Sequence, residues 1–375
     1  MLGGFMGKFV KSGIFAAIGS AVLLIAGCLP LGLSVDAARR GQPTFDGNAW
    51  VTYWDFEQGM KEAMAIQTQL NSISYFAAVL DGEGKPMVMG HSHQFTGKKF
   101  TRYRAKVNKY LTVVNDVYKD IHNPKGETIA KDTQVLLKLF ETPETMQEHA
   151  ANMIALVKRH RFDGLELDYE NIWKDPEVAR RYVRFLEILA SLADKEEIPL
   201  RVILEPGFFE FGDPITTLAT MMEDFTVPEG PEYVVMCYNL YGIHSKTAGA
   251  KADIPFLKKV LFKLSYLPRP RSVALATGGC VWQDGRAPYF VTENEALLLQ
   301  RSLKAKATRD AGSQAMSFKG KNAAGKNVEC WFADAKTIVA WKRQALDYGV
   351  DGISLWRLGG NHKIQEYYPG IMNKK

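Results

Sequence analysis

Cysteine is scarce, with four in 375 residues, and one of them, Cys28, falls in the N-terminal segment. The remaining Cys237, Cys280 and Cys330 are an odd set, which excludes a full disulfide framework. Three buried thiols are expected, since Cys237 sits in an apolar strand pattern; a single Cys280–Cys330 bridge is the one pairing left open. No glycine-rich phosphate fingerprint follows the first strand pattern, which argues against a dinucleotide-binding fold. No block of Lys and Arg interrupts the chain either. The formal charge of +6 is spread along it, so a nucleic-acid partner is not expected. Histidine is sparse as well: His91-Ser92-His93 offers two imidazoles but no further ligand set, so neither a metal nor a cofactor is expected.

Long apolar runs are missing with one exception. Lys8 and Lys11 precede the apolar run Ile14 to Ala26, the arrangement of an export signal. Three outcomes remain open. Leu24-Ile25-Ala26-Gly27-Cys28 resembles a bacterial lipoprotein cleavage box with Cys28 lipidated, Val35-Asp36-Ala37 has the small-x-small form of ordinary secretion, and an uncleaved anchor is the third. All three place the rest of the chain outside the cytoplasmic membrane, in the cell envelope, with membrane attachment through a lipid or the signal itself. Residues 1–27 are therefore read as signal, 28–46 as an aperiodic tether, and 47–375 as the folded domain, expected to be a monomer.

With 46% hydrophobic residues, that domain can build a sizeable core. Strand patterns alternate with helical ones along it. Strands are read at Ala49–Trp54, Ser72–Leu80, Gln134–Phe140, the acidic stretch from Phe162, Leu200–Leu204, Tyr233–Tyr238, Ser272–Thr277 and Gly352–Trp356. Helices are read at Glu57–Leu70, around Val107–Ile121, from Pro143 to about His160, from Pro176 to about Glu196, and at Pro255–Tyr266, Asn294–Arg309 and Asp334–Tyr348. A hairpin is read over residues 314–332. Alternating strands and helices imply parallel βαβ units. Eight strands fit an α/β fold of the (β/α)₈ TIM-barrel kind, with a small hairpin insertion between the seventh and eighth strands.

The chain is organised around Phe162-Asp163-Gly164-Leu165-Glu166-Leu167-Asp168-Tyr169-Glu170. On a strand, residues two apart share a face, so Glu166, Asp168 and Glu170 line one wall and Leu165, Leu167 and Tyr169 the other. The bland alternative is an edge strand with a solvated acidic face. In a barrel, Glu170, Tyr238 and Trp356 fall at the C-terminal strand ends, where sites are built. Carboxylates near a scissile bond suggest general acid–base chemistry. Two positions on one strand put α-carbons roughly 6–7 Å apart, which suits one acid with a supporting neighbour rather than two carboxyls facing across a sugar ring.

The stretch Asp163-Gly164-Leu165-Glu166-Leu167-Asp168-Tyr169-Glu170 resembles the fourth-strand signature of glycoside hydrolase family 18, Asp-Gly-x-Asp-x-Asp-x-Glu. Met236-Cys237-Tyr238 is similar to that family's sixth-strand Met-x-Tyr, and Gly352-Ile353-Ser354-Leu355-Trp356-Arg357-Leu358-Gly359 to its eighth. The C-terminal third is similar to bacterial spore-cortex and cell-wall members. The resemblance implies that Glu170 is the general acid, that Asp168 and Tyr238 hold the substrate's N-acetyl group while its carbonyl oxygen attacks the anomeric carbon, and that Trp356 floors the reacting sugar. It also implies a glycosidase acting on an N-acetylglucosamine-containing polysaccharide, through the substrate-assisted exception to the two-carboxylate scheme.

Some residues depart from the pattern. Glu166 stands where the family has Asp, with an extra methylene between it and a proton relay with Asp168. Asn239 replaces the Asp that often follows the sixth-strand Tyr. The Ser-x-Gly-Gly of the family's third strand is missing, with Leu137-Lys138-Leu139-Phe140 in its place. Tyr53, Trp54 and Trp282 are candidates to stack on sugars at the rim, or to pack. Glu205, ending the fifth strand, either lines the cleft or caps a loop. Against the enzyme stands a non-catalytic sugar-binding protein on the same barrel; retention of Glu170 favours the enzyme.

Overall fold

The computed structural model describes residues 46–102, 105–119, 127–206 and 227–368. The segments read as signal and tether, Cys28 included, lie outside the described residues except for Asp46, the last residue given to the tether, which begins β1. Eight parallel strands form the barrel: β1 Asp46–Thr52, β2 Ser72–Asp81, β3 Asn108–Tyr118, β4 Gly164–Asp168, β5 Leu200–Leu204, β6 Glu232–Met236, β7 Arg271–Ala276 and β8 Gly352–Trp356. Their order is β2-β1-β8-β7-β6-β5-β4-β3, and pairing of β2 with β3 closes the ring.

The third strand is not where the sequence pattern put it. The first helix, α1, is Phe56–Ile66; residues Thr133–Leu139 are a helix, α2, and β3 is the Asn108–Tyr118 segment read above as helical. The physical reasons are local. Asp132 caps α2, its side chain accepting from Gln134 N at 2.8 Å. Val135 and Leu136 then sit one turn before Leu139 and Phe140, and Leu136 and Phe140 are fully buried. Conversely Leu111 and the β-branched Thr112, Val113, Val114 and Val117 are buried on both faces, as a parallel barrel strand requires.

The helices around the barrel carry conventional start signals. In α3, Pro143–His160, Thr142 and Thr145 form a reciprocal capping box. Asp175 caps α4, Pro176–Lys195, whose Val178, Ala179, Tyr182, Leu186 and Leu189 face the sheet. Strand residues facing the helices, such as Val51, Ile73, Tyr75, Leu165, Leu167, Val202, Val235, Leu275 and Leu355, form the main core with them. Alternate residues point to the barrel axis. Near the upper end these are Trp50, Ile203, Val234, Met236, Tyr238, Ala274 and Ala276.

The middle of the barrel is polar. Glu166 of β4 is fully buried and accepts from Arg201 Nη1 of β5 at 2.7 Å, Thr112 Oγ1 of β3 at 2.6 Å, Ser74 Oγ of β2 at 3.0 Å, and the Trp50 indole of β1. Arg201 also donates from Nε to Glu232 of β6 at 3.0 Å and from Nη2 to Ser354 Oγ of β8 at 2.9 Å. Ser272 Oγ of β7 donates to Glu232 at 2.5 Å, and Asn48 of β1 binds Ser74 and Ser354. Every barrel strand thus contributes a side chain to one connected network. Strand register places it: Thr112 lies opposite Glu166, Glu166 opposite Arg201, and Arg201 opposite Glu232.

Gly164 opens β4 because nothing larger fits. A Cβ there would lie 2.4 Å from the Tyr110 ring and 2.9 Å from Pro199 O. Asp163 before it is structural, accepting from Lys109 N at 2.9 Å. The insertion between β7 and β8 is larger than a hairpin. The expected pair Met316–Lys321 and Asn327–Ala333 is present, within a five-stranded antiparallel sheet that adds Thr308–Arg309, Gly278–Gln283 and Arg286–Val291. All three cysteines of the domain are free and buried. Cys330 lies opposite Val281, next to Cys280, in that sheet.

Replacing Arg201 by Leu strands the Glu166 carboxylate without its cation. We expect urea denaturation to register a loss of about 3–5 kcal/mol. Lys106→Ala, which removes an ion pair to Asp163 from a lysine side chain 66% exposed, is expected to cost below about 1 kcal/mol. Equal losses for the two variants would contradict the central role of the network.

Candidate functional site

A cleft of about 330 Å³ opens at the C-terminal strand ends. Of the residues singled out from sequence, Tyr53, Trp54, Asp168, Glu170, Tyr238, Asn239 and Trp356 line it. Asp168 ends β4, and Glu170 follows two residues on. The Glu170 backbone is clamped by Asn115, whose Oδ1 accepts from Glu170 N at 3.0 Å and whose Nδ2 donates to Glu170 O at 3.1 Å. Asn171 then turns through a left-handed backbone, φ 64, and its N–H donates to Glu205 Oε2 at 2.6 Å.

The aromatic wall is built from three elements. Trp356 at the end of β8 packs edge-on against Trp50 at 5.8 Å and Phe76 at 4.8 Å. Trp54, 51% exposed, packs edge-on to Tyr53 and Phe76. The Arg357 guanidinium lies over the Trp54 ring, 5.8 Å from its centre, whereas Trp356 is held between Trp50 and Phe76. Tyr53 shares a 2.5 Å hydrogen bond with Tyr118.

The electrostatics are those of crowded carboxyls under one ammonium. Lys131 Nζ contacts Glu170 Oε2, and Lys131 N donates to Asp116 Oδ1 at 2.8 Å. Burial works to lower the Lys131 pKa, but Glu170, Glu205 and Asp168 outweigh it and the pKa rises. Asp168 is pushed well above the usual carboxylate range by burial and by the Glu170 charge, with Lys131 opposing. Its Oδ1 is buried and has no hydrogen-bond partner among the described residues. Asp116 is raised by burial against the pull of Lys131. Burial, then Asp168 and Glu170, push the Tyr238 hydroxyl well above the ordinary phenol value, so it stays a neutral donor. Burial and the Glu170 charge lift Glu205 to about 7.

Three of the residues named from sequence lie elsewhere. Glu166 does not line the cleft. Among the described residues no hydrogen bond joins it to Asp168; its longer side chain carries the carboxylate into the strand-bridging network. Burial raises its pKa, opposed by Arg201 and three further donors. Trp282 sits in the insertion, donating from Nε1 to Ser245 O at 2.9 Å and lining a separate groove. Glu205 lies behind Glu170, holding the Asn171 turn rather than lining the cleft. The structure also adds residues that sequence reasoning missed: Asn115, Asp116 and Lys131, and on the opposite side Lys251 and Phe290. The misplaced third strand hid the first two. Their signal was a β-branched run, Thr112-Val113-Val114, ending in Asn115-Asp116, as expected of a barrel strand reaching a site.

No family model matches the chain. An uncharacterized glycosylase of Bacillus subtilis (strain 168), YvbX, is 21% identical over 274 residues, covering 70% of this chain and 74% of that protein. Among solved structures, the spore cortex-lytic enzyme SleL of Bacillus cereus superposes with a TM-score of 0.68 at 18% identity, over 88% of this chain and 76% of that one. A chitinase of Chromobacterium violaceum gives 0.70 at 15% identity, over 88% of this chain and 100% of the other. A class V chitinase of Nicotiana tobaccum, solved in complex with NAG4, gives 0.64 at 13% identity, over 86% and 98%. The structural neighbours are thus chitinase-like glycosidases, and they share the TIM barrel with this chain.

The raised Glu205 carboxyl links stability to pH. Its folded-state pKa of about 7 exceeds the ordinary 4.5, so its contribution is full below about pH 4.5 and is lost as pH rises through 7. Glu205→Gln keeps an acceptor for Asn171 N and removes the titration. Thermal melts are expected to show the variant gaining on the wild type between about pH 5 and pH 8, by roughly 1–3 kcal/mol. A difference that stays flat across that range would rule out the buried, charge-crowded Glu205.

Proposed function

We propose that this chain is an exported glycoside hydrolase that cleaves β-1,4 bonds at N-acetylglucosamine in peptidoglycan or chitin-like glycans. One observation carries the reading: Asp168 Oδ1, buried and without a hydrogen-bond partner among the described residues, beside Glu170 in a cleft that Trp356 lines. An orphaned buried carboxyl oxygen is costly unless a ligand satisfies it. An acetamido N–H supplies the required donor. Held by Asp168 and by the Tyr238 hydroxyl, the acetamido group would lie against the anomeric carbon.

Glu170 would then give its proton to the glycosidic oxygen as the acetamido carbonyl oxygen attacks that carbon, forming a cyclic intermediate. Water would open it, returning a proton to Glu170, with the anomeric configuration retained. Glu166 would act from below by fixing the strands that carry Asp168 and Tyr238. Asn239, Tyr53 and Trp54 would contact flanking sugars.

Peptidoglycan is the preferred substrate. The N-terminal export pattern, the relative described as a glycosylase and the spore cortex-lytic neighbour support it. Lipidation at Cys28 would hold the enzyme on the outer side of the cytoplasmic membrane. The contact between Lys131 and Glu170 favours a second reading, a sugar-binding protein of the same fold that does not turn over.

Release of reducing ends from purified peptidoglycan and from N-acetylglucosamine oligomers separates the two. Glu170→Gln is expected to lower the rate by about 10²–10⁴ while leaving the melting temperature near wild type. Binding of both glycans by wild type and variant alike, with no cleavage by either, would leave the sugar-binding reading. Cleavage that survives the substitution would move the acid elsewhere in the cleft, to Asp116 first.

A further inference from the structure

The cleft holds two lysines in different circumstances. Lys131 faces acids: Glu170 contacts its ammonium, and Asp116 accepts from its backbone. Lys251 stands across the barrel, on the β7–β8 side. Its Nζ donates to Thr277 O at 3.0 Å and lies 5.3 Å from the centre of the Phe290 ring. Thr277 N in turn donates to Trp356 O at 2.6 Å, so Lys251 is anchored beside the residue that floors the cleft. Among the described residues no carboxylate forms an ion pair with Lys251. The nearby Arg357 is tied to Asp55 at 2.6 Å.

An ammonium carries three donors, and Thr277 O takes one. Placing such a cation in a partly buried wall with one neutral acceptor is unfavourable for a protein that binds only neutral sugars. An anionic group on the ligand reverses the balance through a charge-assisted hydrogen bond. Phe290, 56% exposed on the insertion, offers an apolar surface next to that point. Burial lowers the Lys251 ammonium to about 8, so it remains largely charged near neutrality.

We propose that Lys251 is a specificity residue that binds a carboxylate carried by the glycan, so that the substrate class is an acidic N-acetylated glycan with a lactyl ether on its sugars rather than neutral chitin. This rests on the hydrolase reading above and narrows it. The lactyl carboxylate is free where peptide has been removed. A peptide stem would present its own carboxylates further from the ring.

The test compares kcat/KM on four substrates: glycan strands stripped of peptide by an amidase, the same strands with carboxyls converted to methylamides, stem-bearing peptidoglycan, and N-acetylglucosamine oligomers. Wild type is expected to favour stripped strands over their methylamides by about 10- to 100-fold, the range that one charged hydrogen bond supplies. In Lys251→Met that ratio should fall to within about twofold, and Lys251→Arg should retain part of it. A higher rate on stem-bearing strands with the same Lys251 dependence would assign the carboxylate to the peptide. A wild-type preference that persists in Lys251→Met, or no preference in the wild type, overturns the proposal and leaves the hydrolase standing. Failure to cleave any of the four removes the hydrolase reading and this inference with it.

Discussion

A carboxylate and a guanidinium, both withdrawn from water at the barrel axis, set the terms for the rest of this structure. Taking Glu166 and Arg201 out of solvent costs several kcal/mol each, and their attraction compensates only if every remaining donor and acceptor is satisfied. Satisfying them requires Trp50, Ser74, Thr112, Glu232, Ser272, Ser354 and Asn48, which with Glu166 and Arg201 themselves draw on all eight strands. A slip of one residue in any strand would turn its contributor out toward the helices and leave a charge unpaired. The network therefore fixes register around the ring more tightly than apolar packing alone would.

That register delivers the site. With Glu166 locked in the middle of β4, Asp168 is necessarily one step higher on the same face, and Glu170 one step beyond it. The same layer carries Met236 and Ala274 at the height where Tyr238 and Trp356 close the floor. Above the network the environment changes: Glu166 has four donors, whereas one buried oxygen of Asp168 has none among the described residues. Two carboxyls on one strand thus differ in role because of what neighbouring strands bring to each height. The lower one is tied into the barrel network, and the upper one lines the cleft.

The end of β3 and the loops complete the site. Asn115 pins the Glu170 backbone, Lys131 balances its charge, and Glu205 braces the turn after it. The opposite wall comes from the insertion and the Lys251 segment, so the two sides of the cleft differ in kind: carboxyls on the β3–β4 side, an ammonium and an aromatic ring on the β7–β8 side.

Sequence by itself determined much of this. Alternating strand and helix patterns implied the (β/α)₈ barrel, and the alternate spacing of Glu166, Asp168 and Glu170 put them on one face, with Leu165, Leu167 and Tyr169 in the outer core. These are properties of period, which is local. The third strand was misread because Val135, Leu136, Leu139 and Phe140 suit a strand as well as a helix. The choice rested on the Asp132 cap and on the both-face burial of Thr112-Val113-Val114. The different fates of Glu166 and Asp168, and the recruitment of Lys131 and Lys251, were decided only by tertiary structure. A side chain's charge balance depends on partners far away in the chain, such as Arg201 35 residues from Glu166 and Lys131 39 residues from Glu170, and no local spacing encodes them.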